Sequence, residues 1–242
     1  MKTIFSCLAV ASIAIATPLT ANEMSANEMS AHEMSETNFH VVRVQVGGTE
    51  NNEGGLVTWD AEGSYGGDTD KIVLRTEGEI QNGHVEASEL WGLWSRNMSD
   101  FWDMQLGIKQ DIDPHPTTSL AFGVEGMLPQ FIETHAHAFV STRGDVSARL
   151  EQSIDLAITQ RLILEPHAEL NVHASDVPEL GIGSGISGIE AGAQLRYEVT
   201  RKFAPYVDLV YETATGNTAR IKRNNGEDTD DLTVRVGLRI AF

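Results

Sequence analysis

The sequence predicts an all-β chain, a transmembrane antiparallel β-barrel of about 12 strands, preceded by a short disordered Met-rich tail. Three observations carry that expectation. Segments of about ten residues alternate apolar and polar side chains and are punctuated by Gly, Asn, Asp and Pro. Their polar faces are dense in Arg, Glu, Asp and His, where a soluble sandwich would present small polar groups to water. Short and long connections alternate, as they do when strands run back and forth across a bilayer.

Residues 1–21 read as a secretory signal peptide, with Lys2 as a positive start, Ile4 to Ala16 as an apolar run, and Ala16 or Ala21 as the small residue before cleavage. That run is too short to span a bilayer as a helix, and no later stretch approaches the roughly 20 apolar residues that a spanning helix needs. Cys7, the single cysteine, lies inside it, so the exported chain is expected to hold neither disulfides nor thiolate ligands. Residues 22–38 form the Met-rich tail, expected in the periplasm, and residues 39–242 the outer-membrane barrel domain.

Twelve strands are expected, over 39–47, 55–64, 70–80, 84–97, 100–111, 117–128, 130–141, 145–158, 161–173, 187–200, 203–213 and 228–242. The last is the clearest: Val234, Val236, Leu238, Ile240 and Phe242 fall on one face, and Thr233, Arg235, Gly237 and Arg239 on the other. The stretch RLILEPHAELNVH alternates in the same way. Closure of an even number of strands removes every unpaired edge from the hydrocarbon. GGDTD, NMSD, LPQ, TQ and TRKF are the short turns, and GTENNEGG, DVPELGIGSG and the region around NNGED the long ones. With the short turns in the periplasm, both termini lie there. Trp59, Trp91, Trp94, Trp102, Phe131, Tyr197, Phe203, Tyr206 and Tyr211 are placed for an interfacial girdle. A terminal Phe242 closing an apolar strand is similar to the C-terminal signature of bacterial outer-membrane barrels.

The 242 residues carry 35 acidic against 17 Lys and Arg side chains, a formal net charge of −18. A nucleic-acid partner would meet repulsion, whereas cations would gather at the surface. The tail, ANEMSANEMSAHEMSE, repeats a five-residue unit that sets Met24, Met29 and Met34 behind Glu23, Glu28 and Glu33 and adds His32. A thioether is a soft ligand suited to Cu(I), and imidazole and carboxylate extend the set towards Cu(II). The plain alternative is a duplicated low-complexity spacer.

A second candidate metal site lies on the expected lumen face. Glu133, His135 and His137 on the seventh strand, and Glu165, His167, Glu169 and His173 on the ninth, would point imidazoles and carboxylates into one cavity. Successive inward positions stand about 7 Å apart, so both strands would have to contribute. The alternative is charge pairing with Arg75, Arg96, Arg149, Arg161, Arg196, Arg235 and Arg239. Catalytic patterns are poor: GIGSG at Gly181 to Gly185 has the letters of a nucleophile elbow but sits in a loop, and Ser184, His115 and Asp113 belong to separate loops.

Several strings, WDAEGSYGGDTDKIVLRTEGE, LWSRNMSDFWDMQLGIKQD, GDVSARLEQSIDLAITQRLILEPHAELN and GIGSGISGIEAGAQLRYEVTRKFAPYV, together resemble the copper resistance protein B family of bacterial outer-membrane proteins, over most of Trp59 to Phe242. The resemblance implies a barrel behind a Met- and His-rich segment, and a role in copper resistance with copper bound or exported at the outer membrane. The Met segment here is shorter than the family pattern. The expected cargo is therefore copper ion, with membrane lipid around the barrel and a periplasmic copper protein as a further partner. Set against this are a passive porin and a barrel enzyme of lipase or protease type.

Overall fold

A sheet whose side chains alternate between two environments can pair every backbone amide without an exposed edge only by closing on itself. The computed structural model describes residues 38–51, 54–177 and 180–242 and has that arrangement. The expected signal peptide and the tail donors Met24, Met29, His32 and Met34 lie outside the described residues.

The first strands are β1 (Phe39–Asn51), β2 (Gly54–Gly66), β3 (Asp70–Gln81), β4 (His84–Ser99), β5 (Trp102–Asp113) and β6 (Thr117–Leu128). Then come β7 (Ile132–Ser141), β8 (Val146–Ile154), β9 (Leu156–Ala157), β10 (Leu162–His173), β11 (Gly185–Tyr197), β12 (Phe203–Ala214) and β13 (Asp230–Ala241). Each is antiparallel to its neighbour, and β1 pairs with β13 from Arg43↔Ala241 to Gly48↔Val236, which closes the barrel. The strands β8 and β9 both pair with β10 and make one stave interrupted at Asp155, whose carboxylate is ion-paired to Arg196. The result is a closed barrel of twelve staves, one for each expected segment.

The parity of the sequence holds on β3, β5, β6, β12 and β13. Leu74, Ile108, Phe122, Leu209 and Val236 are exposed on the outside, while Arg75, Lys109, Ser119, Asp208 and Arg235 on the same strands face in and are buried or half-buried. An apolar exterior around a polar interior is the inverse of a soluble protein and suits a hydrocarbon surround.

One end of the barrel has short connections throughout, residues 67–69, 100–101, 129–131, 158–161 and 198–202. The other end has, among the described residues, short links at 82–83, 114–116 and 142–145 and two long segments, 174–184 and 215–229. Asn82 and Gly83, both at positive φ (52° and 83°), turn β3 into β4 as a two-residue hairpin requires. GTENNEGG, expected as a long loop, is mostly strand, because β1 runs on to Asn51 and β2 starts at Gly54. The segment around NNGED holds an unexpected helix, α1 (Gly216–Asn225). It ends at Gly226, whose φ of 80° lets its N–H reach the carbonyls of Arg223 and Lys222.

The aromatic expectation needs two corrections. Trp91, fully buried, and Tyr206, 6 % exposed, point into the barrel. Trp91 packs with Val73, Leu93, Ala121 and Phe139 into an apolar cluster carried by β3, β4, β6 and β7.

Candidate functional site

Strand register sets side by side residues far apart in sequence. Asp103 lies opposite Glu125, Glu125 opposite His135, and His135 opposite Glu151. The series continues from Glu151 to Glu169, Glu190, Glu212 and Asp231, each in direct register with the one before. Eight consecutive staves thus contribute one inward row made of carboxylates and a single imidazole. Because the strands tilt, such a row climbs the wall instead of circling it.

Its course is marked by three cavities. A cavity of about 350 Å³ at the short-turn end is lined by Asp103, Glu125 and His135. One of about 500 Å³ in the middle of the lumen, lined also by Arg75, Glu89 and Arg149, takes in His135, Glu151, Glu169, Glu190 and Glu212. A vestibule of about 650 Å³ at the long-loop end shares Glu169, Glu190 and Glu212 and adds Asp231. The row therefore touches every one of these spaces from one mouth to the other.

Cations interrupt this field at mid-height. Arg75 on β3 is 2.9 Å from Glu151 on β8, and Arg149 on β8 is 2.7 Å from Glu89 on β4 and also pairs with Glu77. These pairs cross the interior between staves that are not neighbours. The Arg75, Lys109 and Arg149 cations stand 5.4, 5.5 and 5.5 Å from the Trp91 ring centroid, within cation–π range. They lie between the Trp91 cluster and the carboxylates of β3, β4 and β8.

The expected metal ligands on β7 and β10 face the interior, but the structure does not gather them into one group. Stave β8 stands between β7 and β10, so the two ladders are two strand spacings, about 10 Å, apart. His137 is bound through Nε2 to Gln105 Oε1 at 2.7 Å and stacks edge-on to Trp91. His173 Nδ1 is 3.0 Å from Ser187 Oγ. His167 lies across Gly192, with Nε2 3.8 Å from Glu190 and 3.9 Å from Asp208. A Cβ at Gly192 would stand 2.4 Å from that nitrogen, so the ring needs glycine beneath it. Glu169 is 3.6 Å from Arg149 Nε, and Glu165 is ion-paired to Arg196 and Arg239. Glu133 and His135 line the short-turn cavity. Among the described residues no three of His, Cys, Asp and Glu form a metal-sized group.

Sequence reasoning missed Asp103, Glu125, Glu151, Glu190, Glu212 and Asp231 as members of one row. Their inward parity could be read, but the register joining them could not. In the loops, the Ser184 N–H donates to Asp176 Oδ1 at 2.6 Å, which holds that carboxyl below the usual carboxylate range. The Ser184 hydroxyl accepts from Asn217 Nδ2 at 3.1 Å. Among the described residues it has no hydrogen bond to His115.

Comparison with known proteins agrees with this architecture. The family described as Copper resistance protein B precursor (CopB) matches residues 38–242. A Copper resistance protein B homolog of Pseudomonas syringae pv. tomato is 42% identical over 192 residues, 79% of this chain and 65% of the relative. Copper resistance protein B of Escherichia coli is 36% identical over 186 residues, 76% of this chain and 63% of the relative. The match thus spans just under two thirds of either relative's length. Among solved structures, the KdgM porin in complex with disordered oligogalacturonate aligns with a TM-score of 0.52 at 9% identity, covering 84% of this chain and 99% of that one. The NanC porin aligns with a TM-score of 0.51 at 13% identity, covering 83% and 97%. At such identities the porins share the fold alone.

Proposed function

The chain belongs to the copper resistance protein B family, and from that membership we propose that it is an outer-membrane barrel that binds copper ions and passes them along its lumen, contributing to copper resistance. The observation that carries this reading is the inward row from Asp103 to Asp231, which touches all three cavities. Adjacent staves lie about 4.8 Å apart, so a cation on the row can exchange one carboxylate for the next without losing all its ligands at once. Sites of that kind hold an ion firmly enough to admit it and weakly enough to release it.

The short turns face the periplasm in this account, which puts the Met-rich tail on that side. Met24, Met29 and Met34 supply soft donors there, and His32 a borderline one. Copper is cargo, not a catalytic cofactor, and the chain is not an enzyme. Membrane lipid meets the apolar exterior, a periplasmic copper protein supplies the ion, and nucleic acid is repelled by the net charge of −18.

Copper bound per purified chain tests the reading. Deleting residues 22–36 lowers the stoichiometry, and Glu190→Gln with His167→Gln lowers what remains. Unchanged binding in both would remove tail and lumen from the mechanism. A passive porin is the second reading, favoured by the Arg75–Glu151 and Arg149–Glu89 pairs; it predicts no copper on the tail-deleted barrel.

A further inference from the structure

Most charged groups in the lumen are already engaged, which makes an uncommitted set conspicuous. Lys71 holds Asp103 at 2.7 Å, Gln105 donates to Glu125, and Arg235 holds Glu212 at 2.9 Å. His137, His167 and His173 each contact a neighbour as described above. At the short-turn mouth three side chains differ. Among the described residues, neither Glu133 nor His135 makes a hydrogen bond or ion pair, and Met127 brings a thioether to the same cavity of about 350 Å³.

Met127 stands out among the described methionines. Met98 is 65 % exposed, and Met104 falls on the outer face because its neighbours Asp103 and Gln105 take the inward positions. Met127 shares inward parity with Glu125 and lies directly opposite Glu133, and His135 is the next inward residue on β7. Directly opposed side chains start about 5 Å apart and diagonal ones about 7–8 Å apart. A flexible thioether, an imidazole and a carboxylate can close on one ion from those positions. The charged groups around them are Arg43, Glu62, Asp100, Asp103 and Glu125, which line the cavity, and Glu151 opposite His135.

We propose that Met127, His135 and Glu133 form a copper site at the short-turn mouth of the barrel, one that takes the ion as Cu(I). The proposal rests on the copper reading above. The donor chemistry supplies the selectivity, since a thioether favours Cu(I) whereas imidazole and carboxylate alone accept Zn(II) equally well. The site opens onto the row, because His135 is both its central donor and a member of the series leading to Glu151.

The test uses the full-length chain with the tail donors silenced by Met24→Leu, Met29→Leu, Met34→Leu and His32→Ala. It is titrated with Cu(I) against a chromophoric chelator under reducing conditions. This chain is expected to retain a bound Cu(I) with a sulfur scatterer in its X-ray absorption spectrum. Met127→Leu, close in volume and checked for folding by heat-modifiable gel migration, abolishes the sulfur signal and weakens Cu(I) at least about tenfold, as loss of a ligand demands. Zn(II) binding is unchanged in Met127→Leu and falls in His135→Gln. Retention of affinity by Met127→Leu, or a tail-silenced chain with no bound Cu(I), overturns the mouth site while copper on the native tail leaves the wider reading intact. A native chain that binds no copper overturns both.

Discussion

Arg149 and Glu89 meet across the interior of the barrel, β8 to β4, with 2.7 Å between Nη1 and the carboxylate. The contact ties together staves with three others between them. Replacing Arg149 with Met leaves Glu77, Glu89 and Glu169 without this partner. Loss of one member of a buried pair costs about 3–5 kcal/mol. Arg149→Met should therefore unfold at lower temperature in detergent, read by heat-modifiable migration, and a melting point equal to that of the native chain would deny the bridge its structural role.

Trp91 is fully enclosed by the Phe139 and His137 rings and by three cations. Truncating an aromatic in such packing costs about 3–5 kcal/mol. Trp91→Ala is expected to destabilise the barrel by that order and to raise the conductance of planar bilayers containing it, because the cavity left behind opens towards the lumen.

Leu209 points outward and Asp208, its neighbour, inward. An arginine on the lipid face near mid-depth costs about 2–4 kcal/mol. Leu209→Arg should lower folding stability in lipid vesicles by that order, while Asp208→Asn leaves it within about 1 kcal/mol, since its contact with His167 is long, 3.9 Å. Equal effects would contradict the inside-out assignment.

Gly192 lets His167 lie flat on the wall. Gly192→Ala forces the imidazole away from Glu190 and Asp208 at a cost of about 1–3 kcal/mol, typical of overpacking. The expected signature is a shifted His167 imidazole resonance and weaker copper binding by the tail-deleted barrel. An unmoved resonance would show that the ring does not depend on the glycine.

Period-two patterning made the barrel legible, because lipid and lumen impose opposite demands on successive side chains. The run from Val234 to Phe242 and the inward set Glu165, His167, Glu169 and His173 were readable for that reason. On β4 the pattern fails: Leu90 and Trp94 are apolar on the outside, and Trp91 and Leu93 are apolar on the inside. Nothing in the sequence therefore distinguished Trp91 from a girdle residue. Register was the larger gap. Which residue faces His135 depends on the stagger of closure, which no single strand encodes, so the row through Glu151, Glu190 and Glu212 emerged only with the fold. Helix α1 was hidden because Asn224, Asn225 and Gly226 read as a turn; in the structure they close a helix that begins at Gly216.

Copper flux into liposomes containing the full-length chain addresses the central claim most directly. The account predicts that the native chain admits copper ions in preference to chloride, and that Glu169→Gln, Glu190→Gln and Glu212→Gln together lower the copper flux at least about tenfold while the chain stays folded, as loss of a conduction path of fixed charges requires. An undiminished flux in the triple variant, or copper flux equal to that of empty liposomes in the native chain, would contradict it.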